Sequence, residues 1–230
     1  LSLKDNLNKV LQEISAAAKN AGRNAEQVKL IAVSKTVDVE AIKEMHAAGQ
    51  KVFAENRAQT LRDKHRILAD LPVEWHFIGP LQSNKIKYVY PVAALVHSID
   101  REDILEQFIA WSKKTGRQCP CLLEVHISAE ETKHGFAPEE VLDVIKKYNN
   151  NEHLNIVGIM GMAPFADDQQ LIRKSFRKLA ELFAKSKELE GKSYQAQELS
   201  MGMSGDFKIA IEEGATLVRI GTALFAGDNR

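Results

Sequence analysis

Apolar residues recur along this chain in two alternating rhythms, stretches of helical spacing and short continuous runs. Leu3, Leu7, Val10, Leu11 and Ile14 share one helical stripe and Gly22 follows as a stop, so a helix precedes the first strand. Leu30-Ile31-Ala32-Val33 is a buried run that ends in Ser34-Lys35-Thr36. Helical spacing returns at Val39, Ile42 and Met45, up to Gly49. The run from Lys51 to Asn56 predicts a second strand, and Leu61, His65 and Leu68 the helix after it. Trp75-His76-Phe77-Ile78-Gly79 and the run from Ala94 to Ile99 predict strands three and four, followed by helical segments from Lys85 to Tyr90 and from Arg101 to about Lys114 respectively.

The second half repeats the scheme. Cys121 to His126 reads as a strand, and Pro138 opens a helix at a position where a missing N–H is harmless. Ile156 to Met160 is the sixth strand, followed by a long helix with Ile172, Phe176, Leu179 and Phe183 on one face. Glu198 to Met201 predicts a short seventh strand, Ser204 the N-cap of a helix that ends at Gly214, and Leu217 to Gly221 the eighth strand. Eight strands separated by helices call for a parallel sheet, and eight is the number that closes. The expected fold is α/β: a single (β/α)8 TIM-type barrel with an extra N-terminal helix, taking residues 1–230 as one domain. An open doubly wound sheet would usually carry a glycine-rich turn after its first strand, and no G-x-G-x-x-G occurs.

Composition narrows the function classes. Lysine plus arginine equals aspartate plus glutamate at 31 each, so no global field draws the chain to nucleic acid or an anionic membrane surface. There is no run of eighteen apolar residues and no charged-then-apolar leader, which points to the cytoplasm. Cys119 and Cys121 are the only cysteines, too few for a structural zinc site, and read as reduced strand residues.

In such barrels the chemistry lies at the carboxyl ends of the strands. Those ends are Lys35, Asn56, His76 to Gly79, His97 to Asp100, His126 to Ser128, Met160, Ser200 to Ser204 and Arg219 to Thr222. Leu217, Arg219 and Gly221 share a strand face opposite Val218 and Ile220, so Arg219 should enter the barrel. A buried guanidinium needs an acceptor, from a protein carboxylate or from a ligand. The glycine-bearing turns Met201-Gly202-Met203-Ser204-Gly205 and Gly221-Thr222 follow strands seven and eight, where barrels frequently bind phosphate. A lysine amine, a buried cation and a phosphate pocket fit pyridoxal 5′-phosphate (PLP), with phosphorylated sugars and a Schiff-base aldolase mechanism as the rival.

The segments Ala32-Val33-Ser34-Lys35-Thr36, His76 through Lys85, Ser200-Met201-Gly202-Met203-Ser204 and Val218-Arg219-Ile220-Gly221-Thr222 resemble those of the pyridoxal-phosphate homeostasis family. Its members are similar to the N-terminal barrel of alanine racemase. The resemblance runs from the first helix to about Gly227 and implies that Lys35 is the Schiff-base lysine and that Arg219 faces the pyridine nitrogen. It places Ser200, Gly221 and Thr222, with Ser204, on the phosphate, and Asn56 and Met160 among the further cofactor contacts. Two departures bear on this: Ala54 stands where glycine is expected before Glu55-Asn56, and His126 where asparagine is expected, so the second and fifth strand ends should be shaped differently. The implied function is carriage and regulation of the intracellular PLP pool, affecting amino- and keto-acid metabolism, by a monomer whose partners include PLP-dependent apo-enzymes. The alternative is an amino-acid racemase or related enzyme. That needs a second acid or base opposite the lysine, which in the related racemase is a tyrosine from the partner subunit. The chain ends soon after strand eight, so the racemase's second domain is not expected, and its four tyrosines lie away from the strand ends, leaving His126 and Lys133 as substitutes.

Overall fold

The computed structural model describes residues 2–128 and 134–225. Helix α1 (Leu3–Asn20) opens on a capping box, in which the Ser2 hydroxyl accepts from the Asp5 N–H and the Asp5 carboxylate accepts from the Ser2 N–H. Its buried stripe is Leu3, Leu7, Val10 and Ile14, while Leu11 faces solvent. The alternation that follows is β1 (Lys29–Val33), α2 (Val39–Ala47), β2 (Val52–Glu55), α3 (Ala58–Ile67), β3 (Glu74–Phe77), α4 (Ile86–Val89), β4 (Leu95–Ile99) and α5 (Glu102–Thr115). It continues through β5 (Cys121–Val125), α6 (Pro138–Tyr148), β6 (Ile156–Gly161), α7 (Gln169–Ser186), β7 (Tyr194–Ser200), α8 (Phe207–Glu212), β8 (Leu217–Ile220) and α9 (Thr222–Phe225).

The eight strands pair in chain order, all parallel, and β8 closes on β1 with Ile31 opposite Arg219. Strand alternation divides the core in two. Ile31, Val52, Ala54, Leu95, Leu122, Met160 and Leu217 fill the barrel, while Val218, Ile220, Phe53, Phe77 and Leu123 join the shell between strands and helices. Helix α1 packs against α2, α8 and α9, where the Asn6 side-chain amide donates to the Leu224 carbonyl at 3.0 Å.

Besides Leu11 and the added α9, three elements differ from the sequence reading. Strand β7 begins at Tyr194, four residues before the expected Glu198, because its half-buried or exposed residues 195–198 mask a strand that pairs with β6 from Ile156 onward. In α3 the buried position between Leu61 and Leu68 is Lys64, and His65 is exposed. Ser204 is not an N-cap: α8 begins at Phe207, with Asp206 at the cap position and its carboxylate accepting from the Met203 N–H at 2.6 Å. Gly202, at φ +96°, turns the chain sharply here, and the helix starts only after residues 204–206 have completed the turn.

Candidate functional site

The exits of β1, β7 and β8 are brought together by glycine. A Cβ on Gly221 would lie 3.2 Å from the Val33 carbonyl oxygen, so the turn after β8 lies against the end of β1, two residues before Lys35. Lys35 stands exposed in the turn beyond β1. The Arg219 N–H donates to the Gly202 carbonyl at 2.9 Å, and the Ala223 N–H donates to the Ser204 hydroxyl at 3.3 Å. Ser204, Gly221 and Thr222 therefore sit around one turn pair at the carboxyl rim.

Arg219 enters the barrel, as the strand alternation requires, and is 4% exposed. Its Nη1 donates to the Ser200 hydroxyl at 2.6 Å and its Nη2 to the Gly161 carbonyl at 3.3 Å. Among the described residues no carboxylate comes within 4.0 Å of it. Burial lowers its pKa to about 10, against the opposing influence of Glu124 and Asp206. A guanidinium has five N–H donors and cannot lose its charge in ordinary conditions, so this one retains donors for an external acceptor.

Ser200 lies apart from the other candidates for the phosphate. It points inward from the end of β7, is fully buried, and is bonded to Arg219 on one side and to His97 Nδ1, at 2.8 Å, on the other. Met160 is buried in the barrel in register with both Glu124 and Ser200. Asn56 is half-buried at the exit of β2, and its carbonyl oxygen would be 2.0 Å from a Cβ on Gly79, so the exits of β2 and β3 touch. Ala54 sits fully buried in regular register with Val33 and His76, and the His126 N–H donates to the Phe136 carbonyl at 2.9 Å. Lys133 lies outside the described residues.

Several residues of the site escaped the sequence reading. Glu124 shares the inward face of β5 with Leu122, and its burial, reinforced by Asp100, raises its pKa to about 7 while Arg219 and His134 pull it down. Alternation with Cys121, Leu123 and Val125 was the available signal. A carboxyl that binds its proton more tightly when folded contributes stability that is fully present below about pH 4.5 and lost as pH rises through about 7. Glu124→Gln is expected to flatten that loss and to be more stable than wild type at pH 8, as read from urea midpoints at pH 5 and pH 8. Identical pH dependence in the two proteins would contradict the assignment.

Behind the Lys35 turn, Lys64 is the second omission. Its Nζ donates at 2.8 Å each to the Ser34 carbonyl, the Val37 carbonyl and Glu55 Oε1, and the Ser34 hydroxyl donates to the same carboxylate oxygen at 2.6 Å. Lys64 thus pins both flanks of the turn that carries Lys35. Its interruption of the Leu61–Leu68 stripe was visible in the sequence.

A closed parallel barrel with a lysine beyond strand one and an inward arginine on strand eight defines a class, and comparison with known proteins gives it a name. The family model described as "Alanine racemase, N-terminal domain" matches residues 6–229. The "Pyridoxal phosphate homeostasis protein" of Aquifex aeolicus is 41% identical over 222 residues, 96% of each chain. A crystal structure described as an unknown protein from Bifidobacterium adolescentis superposes with a TM-score of 0.90 at 34% identity, covering 97% of this chain and 94% of that one. PipY from Synechococcus elongatus, with PLP bound, superposes with a TM-score of 0.83 at 30% identity, covering 98% of this chain and 100% of PipY. The chain belongs to the pyridoxal phosphate homeostasis protein family, within the wider group of alanine racemase N-terminal domains.

Proposed function

We propose that this chain binds PLP at the carboxyl rim of the barrel and acts as a carrier and regulator of it, as a single-domain monomer in the cytoplasm that passes it to PLP-dependent apo-enzymes. The observation that carries the reading is Arg219: a buried guanidinium beside two glycine-bearing turns, with no carboxylate within 4.0 Å among the described residues. PipY, which has the same fold at 30% identity, is seen with PLP bound. In this reading Lys35 is the covalent anchor, Arg219 donates to the ring nitrogen, and Ser204, Gly221 and Thr222 hold the phosphate. Ser200 then serves Arg219 instead of the phosphate, since its hydroxyl is sealed beneath the guanidinium. Asn56 and Met160 flank the ring from β2 and β6.

Bound PLP supplies an electrophilic carbon and a ring that can take up electron density. An arginine at the ring nitrogen donates and cannot accept, so that nitrogen stays unprotonated and the ring is a weaker electron sink than one facing a carboxylate. The residues therefore favour holding over turnover. No tyrosine stands at the rim to serve as a second acid. Tyr90 donates to the Arg117 carbonyl, Tyr148 to Glu102 and Glu106, and Tyr194 is bonded to Ser186, while Tyr88 lies on α4 among Arg62, Lys85 and Lys87. Among the described residues, no helix is long and apolar enough to cross a membrane.

One observation favours an amino-acid enzyme. In a ring of eight strands, β5 lies across the barrel from β1, so Glu124 is an inward carboxyl opposite Lys35 that exchanges its proton near neutrality. Incubating the PLP-loaded protein with L-alanine in deuterated water separates the two. Slow α-proton exchange without D-alanine is expected. Turnover of even about 1 per second, the low end of ordinary enzymes, would defeat the carrier reading.

A further inference from the structure

A continuous chain of hydrogen bonds crosses the barrel interior, from the amino rim to Arg219. Glu74 opens β3, its side chain half-exposed at the bottom of the barrel, 3.7 Å from Lys29. Its Oε1 is 3.1 Å from His76 Nε2. His76 Nδ1 is 2.9 Å from His97 Nε2, and His97 Nδ1 is 2.8 Å from the Ser200 hydroxyl, which holds Arg219 at 2.6 Å. Both imidazoles are buried.

The two ends dictate the polarity of everything between them. A carboxylate only accepts and a guanidinium only donates. With Glu74 accepting, a neutral His76 carries its proton on Nε2, so its Nδ1 accepts and His97 donates from Nε2. His97 Nδ1 must then accept, the Ser200 hydroxyl must donate to it, and the lone pairs left on Ser200 face Arg219. Every group is satisfied once, in one direction only. The groups that face the imidazoles are Glu74 from β3, Lys29 from β1, Glu198 from β7 and Arg219 from β8; burial outweighs the carboxylates and keeps both rings neutral.

We propose that Glu74 is a positioning residue for Arg219, fixing the tautomers of His76 and His97 and thereby the orientation of the Ser200 hydroxyl that holds the guanidinium. For the cofactor this rests on the reading that Arg219 faces the ring nitrogen. Because Glu74 stands at the opposite rim from Lys35, it reaches the site through the barrel and without touching the ligand.

Nitrogen-15 spectra of the histidines in the protein without PLP test the chain directly. At pH 7.5 both His76 and His97 should be Nε2–H tautomers; a proton on Nδ1 of either ring overturns the proposal. In Glu74→Ala the preference for Nε2–H should fall by about tenfold or more, the worth of one hydrogen bond to a charged acceptor, and the Arg219 guanidinium signals should move. Glu74→Gln, which keeps an acceptor, should retain most of the preference. Unchanged tautomers or an unmoved Arg219 in Glu74→Ala would overturn the positioning role. With PLP added, the visible band should shift in both Glu74→Ala and Arg219→Glu. If the tautomers and guanidinium respond as expected while Arg219→Glu leaves the band unmoved, the internal chain stands and the ring-nitrogen reading fails.

Discussion

Lys35→Ala is expected to abolish covalent capture of PLP completely while leaving weaker, phosphate-anchored binding. Borohydride reduction of the loaded wild-type protein, followed by peptide mapping, should place the pyridoxyl group on Lys35. The structure favours this lysine by position: it is exposed beyond β1, in a turn whose strand end packs on Gly221. Lys64, the nearest buried alternative, has all three ammonium hydrogens engaged by Ser34, Val37 and Glu55. Lys85 is half-buried, with its Nζ 5.9 Å from the centre of the Tyr88 ring. A label on Lys85 or Lys133, or a label persisting in Lys35→Ala, would remove Lys35 from its assigned role.

Lys64→Ala should produce the largest loss of stability of any single surface-remote charge change, about 3–5 kcal/mol, because it strands a fully buried carboxylate. Glu55 has little to fall back on: Oε2 is buried with no hydrogen-bond partner among the described residues, leaving the Ser34 hydroxyl on Oε1. For a chain of this size each kcal/mol lowers the melting temperature by roughly 2–4 °C. Urea and thermal unfolding would read the loss, and the double replacement Lys64→Met with Glu55→Gln should recover much of it. The exposed pair Lys43–Glu40, with the same 2.8 Å separation, is the control, and Lys43→Ala should change little. A loss no greater than the control's would mean that Glu55 is not held as a charged pair. Since Lys64 also fixes the carbonyls of Ser34 and Val37, weaker capture of PLP should accompany the lost stability.

The barrel was legible because every strand but β7 is built on a short apolar run bounded by polar residues, and because the inward position of Arg219 follows from alternation alone. What stayed hidden is polar and buried. Residues 195–198 of β7 are half-buried or exposed, so no apolar run marked the first half of that strand. His76 and His97 stand in the sequence only as polar residues near two strand ends, and the ring of strands shows them to be neighbours, 21 positions apart and 2.9 Å from one another. Ser200 and Ser204 are four residues apart in one glycine-bearing segment, and sequence cannot say which faces the rim. Ser200 still belongs to β7 and points inward, and the turn at Gly202 then brings Ser204 beside Ala223. Lysines on helices usually meet water, so Lys64 carries no signal by residue type; only its place in the α3 stripe marks it as an exception.

The two cysteines have a practical consequence. Both are buried against the strand-helix shell, and burial pushes the Cys119 thiol up to about 12 and Cys121 well above its ordinary value. Thiolate is the reactive form, so in the folded protein neither should couple to an alkylating reagent at neutral pH. A cysteine introduced at the exposed Met203, on the turn between Gly202 and Ser204, would then be the one addressable thiol among the described residues. A fluorophore there would watch the rim fill and empty in real time, with no native sulfur to remove first.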